Sequence, residues 1–223
     1  MSSIGARRFE SAPQAAAEHI AKLRHLAVAL VSDNMHRGTG SMEISPYHKP
    51  GGLTMVGTAV TVHSRGGDNL LTLRAFDYCR PGDVLVVDAD GDVSNAIVGG
   101  IITAGAAMLG LAGMVINGAI RDVAEIRERE FPVYARGVNH RGPYKNGPGE
   151  INVPVCVGGM VVNPGDIIMG DQDGLLAFPA SEAAFLIEKA LAQHASEERQ
   201  MQEILQGRWD RSFVAGLEAR AVN

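Results

Sequence analysis

The chain has 223 residues, of which 46% are hydrophobic and 20% charged, with a net charge of −5 at pH 7. This size and this proportion of hydrophobic and charged residues are typical of one globular domain. The sequence has no apolar run of the ~18 residues that a membrane helix needs. It also lacks a basic stripe that would favour direct nucleic-acid binding. Because the N-terminal residues lack the apolar stretch of a secretory signal, we expect a cytoplasmic protein.

The first part of the chain alternates predicted helices and strands. Small and apolar residues recur at helical spacing over 11–31, which predicts an amphipathic helix. Residues 38–52 are rich in glycine, serine and proline and are predicted to be a loop. The valine- and threonine-rich stretch 55–63 predicts a strand. A helix is expected over 70–78, and a strand buried on both faces over 83–88.

The middle of the chain predicts a β-α-β unit. Residues 95–111 are small and apolar, which favours a helix that packs closely on its neighbours, and residues 113–117 follow as a buried strand. The segment 117–122 is then expected to be a loop that presents the Arg121 guanidinium beside the Asp122 carboxylate. A helix over 122–130 has acidic residues early, where the helix dipole favours them.

The last part of the chain predicts strands and one long helix. A short strand is expected over 133–135, followed by a glycine- and proline-rich loop over 137–149 that is long enough to be functional. Residues 153–162 and 166–178 predict β-ribbon. A helix over 181–206 closes the chain.

Two segments repeat one pattern. Residues 81–91 match residues 164–174 without a gap, and both segments begin Pro-Gly-Asp and end Asp-x-Asp-Gly. Aspartate side chains accept hydrogen bonds from turn amides, and glycine adopts positive φ without strain. We therefore interpret the repeat as a structural turn-strand-turn device.

Several common catalytic patterns are missing from the sequence. The acidic stretch 88–92 lacks the glycine and glutamate positions of a calcium loop, the seven histidines contain no zinc-binding pair, and Cys79 and Cys156 lack paired spacing. No nucleophile elbow, Walker loop or glycine-rich Rossmann loop is found. A Schiff-base enzyme needs a desolvated lysine. All four lysines fall in polar helices or loops, at Lys22, Lys49, Lys145 and Lys189.

With those patterns missing, the candidate site residues lie at a predicted helix start and at a later turn. The backbone N–H groups that open the predicted helix belong to Gly99, Gly100, Ile101 and Ile102. Such groups bind anions, and two glycines let a small carboxylate come close. Arg121 would pair with a carboxylate or a polarised carbonyl, and Asp122 would hold a divalent cation through one oxygen. Together these groups would bind a 2-oxo acid.

The residues alone leave two simpler interpretations open. A solvated ion pair at a helix start explains Arg121 and Asp122. A helix that packs tightly on its strand explains Gly99 and Gly100.

The spacing of these groups resembles a family signature. Gly100 is followed by twenty residues, Arg121-Asp122, two more residues and Glu125. This resembles the G-x20-R-D-x2-E/D signature of the RraA-like family, which includes the regulator of RNase E activity A and 4-hydroxy-4-methyl-2-oxoglutarate aldolases with oxaloacetate decarboxylase activity. Further blocks similar to the family lie at 83–88, 117–122, 132–137, 164–166 and 170–174, so the resemblance spans about residues 28–179.

The resemblance implies an α/β fold of the swivelling β/β/α type. One domain would span residues 1–223, with its core at 28–179 and flanking helices at 11–31 and 181–206. The resemblance also implies a homotrimer or a dimer of trimers, with active sites near the subunit interfaces.

The function that the resemblance implies is a lyase dependent on Mg2+ or Mn2+, which cleaves the C3–C4 bond of a 2-oxo acid to give pyruvate. Asp122 would ligate the metal, and Arg121 would orient the substrate. The amides of residues 99–102 would bind the substrate carboxylate. Glu125 would hold these groups in position without contacting the metal or the substrate directly. The aldolases carry an aspartate, which handles a proton in aldol cleavage, where this chain has Gly100. The alternative is a non-catalytic protein that binds and regulates an RNase.

Overall fold

The computed structural model describes residues 4–214, which form a curled mixed sheet flanked by helices. The helices are α1 (Ala17–Leu23), α2 (Val28–Asp33), α3 (Leu70–Ala75), α4 (Gly100–Met108), α5 (Val123–Arg127) and α6 (Ala183–Leu205). The strands are β1 (Ser45–Pro46), β2 (Met55–Ser64), β3 (Asp83–Asp88), β4 (Ala96–Val98), β5 (Gly113–Ile120), β6 (Val133–Val138), β7 (Gly149–Ile151), β8 (Val155–Val157), β9 (Met160–Val162), β10 (Ile167–Gly170) and β11 (Leu175–Phe178).

Parallel strands form the centre of the sheet. The strand order is β1-β6-β5-β3-β2-β10-β11, and β2, β3, β5 and β6 pair in parallel. The strands β1, β10, β11 and β7 add antiparallel edges, and β4 pairs in parallel with the end of β5. The predicted α/β fold class is confirmed. No helix within residues 4–214 combines the length and the apolar character needed to cross a bilayer.

Both faces of the central strands are covered, as continuous apolar runs require. Alternate side chains of β2, β3 and β5 pack against α3, α4 and α5 on one face. The other face packs against the β8–β9 hairpin and the fully buried ring of Tyr134. The helices α1, α2 and α6 cover β10 and β11.

The single helix predicted over 11–31 is wrong, because the structure has the two short helices α1 and α2 there. The backbone carbonyls of Arg24 and Leu26 accept hydrogen bonds from Thr54, through its N–H at 3.1 Å and its Oγ1 at 2.7 Å. The carboxylate of Asp171 accepts the N–H of Val28 at 2.8 Å, at the start of α2. Hydrogen bonds with Thr54 and Asp171, which are distant in the sequence, therefore interrupt the helix. The apolar spacing of residues 11–31 could not predict these contacts.

The predicted loop over 117–122 is shorter than expected. Strand β5 continues through residues 117–120, since Ala119 and Ile120 pair with β4 on one side and β6 on the other. Only Arg121 and Asp122 separate β5 from α5. The helix predicted over 181–206 is largely present as α6.

The repeated turn-strand-turn device has the same hydrogen bonds in both copies. The first carboxylate of each copy accepts the backbone N–H three residues earlier, at 2.7 Å for Asp83 and 2.8 Å for Asp166. The second accepts the N–H two residues later, at 3.1 Å for Asp88 and 2.9 Å for Asp171. The interpretation as turn chemistry is confirmed.

An N-terminal segment is clamped to β7 by an ion pair. The Glu150 carboxylate, 5% exposed, accepts hydrogen bonds from Nη2 of Arg7 at 2.9 Å and from the N–H of Gly5 at 2.9 Å. The adjacent Ile151 exchanges backbone hydrogen bonds with Arg7 and Phe9. The hydrogen bond from Arg7 lowers the pKa of Glu150 from 4.5 to about 2.

We predict that the stability contributed by this clamp depends on pH. A carboxylate whose pKa is lowered on folding stabilises the protein above its unfolded pKa, near 4.5, and loses that contribution as the pH falls towards 2. Arg7→Ala should lower the urea midpoint at pH 7, and its difference from wild type should shrink between about pH 5 and pH 3. Arg8→Ala, with the same charge change on an exposed neighbour, should not reproduce this dependence. A difference independent of pH would contradict the clamp.

Candidate functional site

Two strand ends bring the predicted site residues together. Val98 at the end of β4 pairs with Ile120 at the end of β5, and the N–H of Arg121 donates to the Val98 carbonyl at 3.0 Å. The strand β4 continues into α4 and β5 continues into α5. The N-termini of both helices therefore lie side by side at the carboxyl edge of the parallel strands, where α/β folds place ligands.

The Asp122 carboxylate links the two helix starts. Asp122 has a left-handed backbone (φ 58°), and its side chain makes no capping bond to its own helix α5. Instead its Oδ2 accepts the N–H of Gly100, the first residue of α4, at 2.9 Å. The other oxygen, Oδ1, accepts no hydrogen bond within residues 4–214. The side chain is 45% exposed, so a ligand can approach the carboxylate.

Arg121 lies beside that carboxylate and between two clefts. Its Nε is 3.8 Å from Oδ2 of Asp122, and its side chain is 44% exposed. One cleft, of about 260 Å3, is also lined by Asp122 and His140. The other, of about 380 Å3, is also lined by Gly99 and Lys145. A guanidinium in this position can reach an anion in either cleft.

Two glycines leave the space that the carboxylates fill. A Cβ on Gly99 would overlap Oδ2 of Asp122 and lie 2.9 Å from Cγ of Arg121. A Cβ on Gly100 would overlap Oε2 of Glu125. Gly99 has an extended backbone (φ −148°), so side-chain volume and not backbone freedom explains the glycine there.

Glu125 is held over the start of α4 by Arg129. Nη2 of Arg129 donates to Oε1 of Glu125, and Nη1 donates to the Gly100 carbonyl at 2.9 Å. Sequence reasoning missed Arg129, although the four-residue spacing from Glu125 to a cation on a helix is a signal for such a pair.

The predicted backbone cradle is smaller than expected. The Gly100 N–H is bonded to Asp122, while the N–H groups of Ile101 and Ile102 lie in the first turn of α4 and so have no partner inside the helix. The side chain of Ile101 is 89% exposed. A substrate carboxylate would therefore meet the amides of Ile101 and Ile102.

The carboxylates present suit a hard divalent cation. Within residues 4–214, no group of three or more His, Cys, Asp or Glu side chains is arranged to hold a metal. Asp122 and Glu125 provide two carboxylates at one helix start. Mg2+ is commonly bound by one or two carboxylates, with water and substrate oxygens completing its shell. The donor set therefore fits Mg2+ or Mn2+ and does not suit a soft metal.

The sequence is similar to a known protein family and to a named bacterial protein. A family model described as RraA-like, Aldolase/RraA, matches residues 28–177. A protein of Halalkalibacterium halodurans, provisionally named a 4-hydroxy-4-methyl-2-oxoglutarate aldolase, is 37% identical over 186 residues, which cover 83% of this chain and 88% of that protein.

Solved structures resemble the fold. An uncharacterised protein from Pseudomonas syringae pv. tomato is 25% identical with a TM-score of 0.78, over 88% of this chain and 96% of that one. The RNA-processing inhibitor RraA from Thermus thermophilus is 30% identical with a TM-score of 0.62, over 69% of this chain and 92% of that one.

We predict that Gly99→Ala displaces Asp122 without unfolding the chain. The new methyl group would push the carboxylate away from the Gly100 N–H, which should speed hydrogen exchange of that amide and lower stability by about 1 kcal/mol. Exchange measured by NMR, with urea unfolding, checks both effects. Gly105→Ala is the control, since a Cβ there has no atom within 4 Å. It should raise stability by about 0.5 kcal/mol. Unchanged protection of the Gly100 amide in Gly99→Ala would contradict the geometry.

Proposed function

This chain belongs to the RraA-like family, and from that membership we propose that it is a divalent-metal-dependent lyase. The reaction is cleavage of the C3–C4 bond of a 2-oxo acid, with release of pyruvate. The observation that supports the proposal is the convergence of Asp122, Glu125 and Arg121 on the start of α4. The relative provisionally named an aldolase supports the same class of reaction.

The two carboxylates are the proposed cation site. Asp122 would hold Mg2+ or Mn2+ through Oδ1, because Oδ2 is engaged by the Gly100 N–H, and Glu125 would act through a bound water. When bound, the cation would supply Lewis-acid polarisation of the substrate carboxylate and 2-oxo oxygen. Arg129 keeps Glu125 in place for this role.

Arg121 and the first turn of α4 orient the substrate. Negative charge grows on the 2-oxo oxygen as the C3–C4 bond breaks, and a guanidinium fixed next to it stabilises that charge. The amides of Ile101 and Ile102, at the positive end of the helix, bind the substrate carboxylate. Nε of Arg121 lies 3.8 Å from Oδ2 of Asp122, so the guanidinium is already beside the proposed cation site.

The lack of an acidic side chain at Gly100 affects the two candidate substrates differently. Oxaloacetate loses CO2 without giving up a proton, so no base is required. A 4-hydroxy substrate such as 4-hydroxy-4-methyl-2-oxoglutarate must lose its hydroxyl proton to a base. The Glu125 carboxylate occupies the volume that a side chain at position 100 would fill, which supports Glu125 as that base. Glu43 is the other candidate base, and both acids are held in ion pairs, Glu125 with Arg129 and Glu43 with Arg136.

Assembly into a homotrimer or hexamer is part of the proposal. The outer face of α4, the helix that begins at the site, exposes Ile101 by 89% and Met108 by 80%. Exposed apolar side chains of this kind are typical of association surfaces. A second copy over this face would also exclude water from Arg121 and Asp122, which are nearly half exposed.

A non-catalytic role in RNA processing is the second candidate. It is supported by the likeness to the RNA-processing inhibitor from T. thermophilus, at 30% identity. Inhibition of an RNase E by the Asp122→Ala variant, together with no pyruvate release by wild type, would favour this role.

We predict that wild type releases pyruvate from oxaloacetate or 4-hydroxy-4-methyl-2-oxoglutarate with Mg2+ or Mn2+, and that chelator abolishes the release. Asp122→Ala should lower kcat/KM at least about 100-fold, since it removes the proposed metal ligand. A coupled assay for pyruvate measures this. Asp77→Ala, on an exposed acid outside the site, is the matched control. No turnover above the metal-only background, or full activity of Asp122→Ala, would show the proposal to be wrong.

We predict that Met108→Glu shifts the assembly towards monomer, because it places a charge on the proposed association face of α4. Sedimentation velocity measures the mass, and circular dichroism checks that the variant is folded. A monomeric wild type would contradict this part of the proposal.

A further inference from the structure

The two carboxylates beside the start of α4 have different partners. Asp122 accepts the N–H of Gly100 at 2.9 Å. Glu125 is instead in an ion pair with Arg129, whose Nη2 donates to Oε1 of the carboxylate. Each carboxylate overlaps the position of a Cβ built on one of two adjacent residues, Gly99 and Gly100. Glu125 is therefore the neighbouring acid that a cation bound at Asp122 would attract.

The guanidinium of Arg129 has a second partner that fixes its position. Its Nη1 donates to the Gly100 carbonyl at 2.9 Å, so the same planar group binds both the backbone of α4 and the Glu125 carboxylate. The backbone of Arg129 is also held, because its N–H donates to the Ile126 carbonyl at 3.1 Å and its carbonyl accepts the N–H of Lys49 at 2.9 Å. A planar guanidinium anchored in this way loses little further freedom when it binds a carboxylate.

Arg129 and a divalent cation would compete for the same carboxylate. Affinity for a divalent cation rises with the number of charged oxygen ligands. The charge-assisted hydrogen bond to the guanidinium has to break before Glu125 can become such a ligand. The Glu125 side chain is 54% exposed, so water weakens the ion pair, and a cation can approach the carboxylate. The ion pair therefore controls how many protein carboxylates reach the cation.

A cation held by one carboxylate keeps more of its coordination positions for the substrate. A catalytic metal needs open positions that substrate oxygens can occupy. The proposed 2-oxo acid supplies two such oxygens, one from its carboxylate and one from its 2-oxo group. A second protein carboxylate on the cation would take a position that either the substrate or a water molecule could otherwise fill.

We propose that Arg129 is a positioning residue that holds Glu125 away from the bound cation, so that Asp122 contacts the metal directly and Glu125 does not. This inference rests on the proposed function, because it takes the cation to be bound at Asp122. Arg129 touches neither the metal nor the substrate and acts through Glu125. Removal of the guanidinium should therefore tighten metal binding, whereas a purely structural role of Arg129 predicts weaker binding.

Binding of Mn2+ alone tests the inference without turnover. Arg129→Met keeps an aliphatic side chain and removes the charge, and it should bind Mn2+ about tenfold more tightly than wild type in a calorimetric titration. The water-proton relaxation caused by bound Mn2+ should fall in this variant, because Glu125 replaces a coordinated water molecule. Arg129→Lys, which can still pair with Glu125, should remain close to wild type in both measurements.

Two further variants separate the ion pair from a general effect of charge. Arg127→Met removes the same charge from an exposed position of α5, where the guanidinium carbon lies 5.9 Å from the centre of the Tyr47 ring, and it should leave Mn2+ affinity unchanged. In a Glu125→Gln background, Arg129→Met should give no gain in affinity, since the carboxylate that it releases is absent. Circular dichroism checks that each variant is folded.

The outcomes distinguish this inference from the proposed function. Unchanged or weaker Mn2+ binding by folded Arg129→Met, or a gain that persists without the Glu125 carboxylate, overturns the role of Arg129 while pyruvate release by wild type stands. Tighter binding that depends on Glu125, in a protein that releases no pyruvate, supports the role of Arg129 and contradicts the lyase. Failure of both wild type and Arg129→Met to bind Mn2+ overturns both.

Discussion

The hydrogen bond from the Gly100 N–H to the Asp122 carboxylate connects two helix starts that the sheet has already brought side by side. The first-turn amides of a helix have no partner inside it, and Asp122 supplies one to α4 instead of to its own helix α5. The parallel pairing of β4 with β5 keeps the distance from Asp122 to the start of α4 short. Polar groups from positions about twenty residues apart thus form one local unit that does not depend on long loops.

The absence of two side chains is as important to the site as the presence of the carboxylates. Asp122 and Glu125 occupy the volumes that side chains at 99 and 100 would take, and Arg129 holds Glu125 there while bonding the Gly100 carbonyl. An open arrangement of half-exposed charges would normally be strongly hydrated. Here, backbone donors and a neighbouring guanidinium set the orientation of each carboxylate before a ligand arrives.

Local patterns predicted local features, and distant contacts explain what they missed. The buried runs of β3 and β5, the long helix α6 and the paired Pro-Gly-Asp turns were all predictable, because their apolar spacing and turn bonds lie within a few residues. The split of the first helix was not, since it depends on Asp171 and Thr54. The grouping of Gly100 with Arg121 and Asp122 followed from their fixed spacing. The position of Lys145 beside the site could not be predicted in this way, because the loop that carries it is hydrogen-bonded to Asp68, far away in the chain.

The overlap between a side chain at position 100 and Glu125 also limits how such a site can evolve. A side chain introduced at position 100 would have to move the end of Glu125, a flexible side chain that is 54% exposed. The effects of substitutions at positions 100 and 125 should therefore depend on each other.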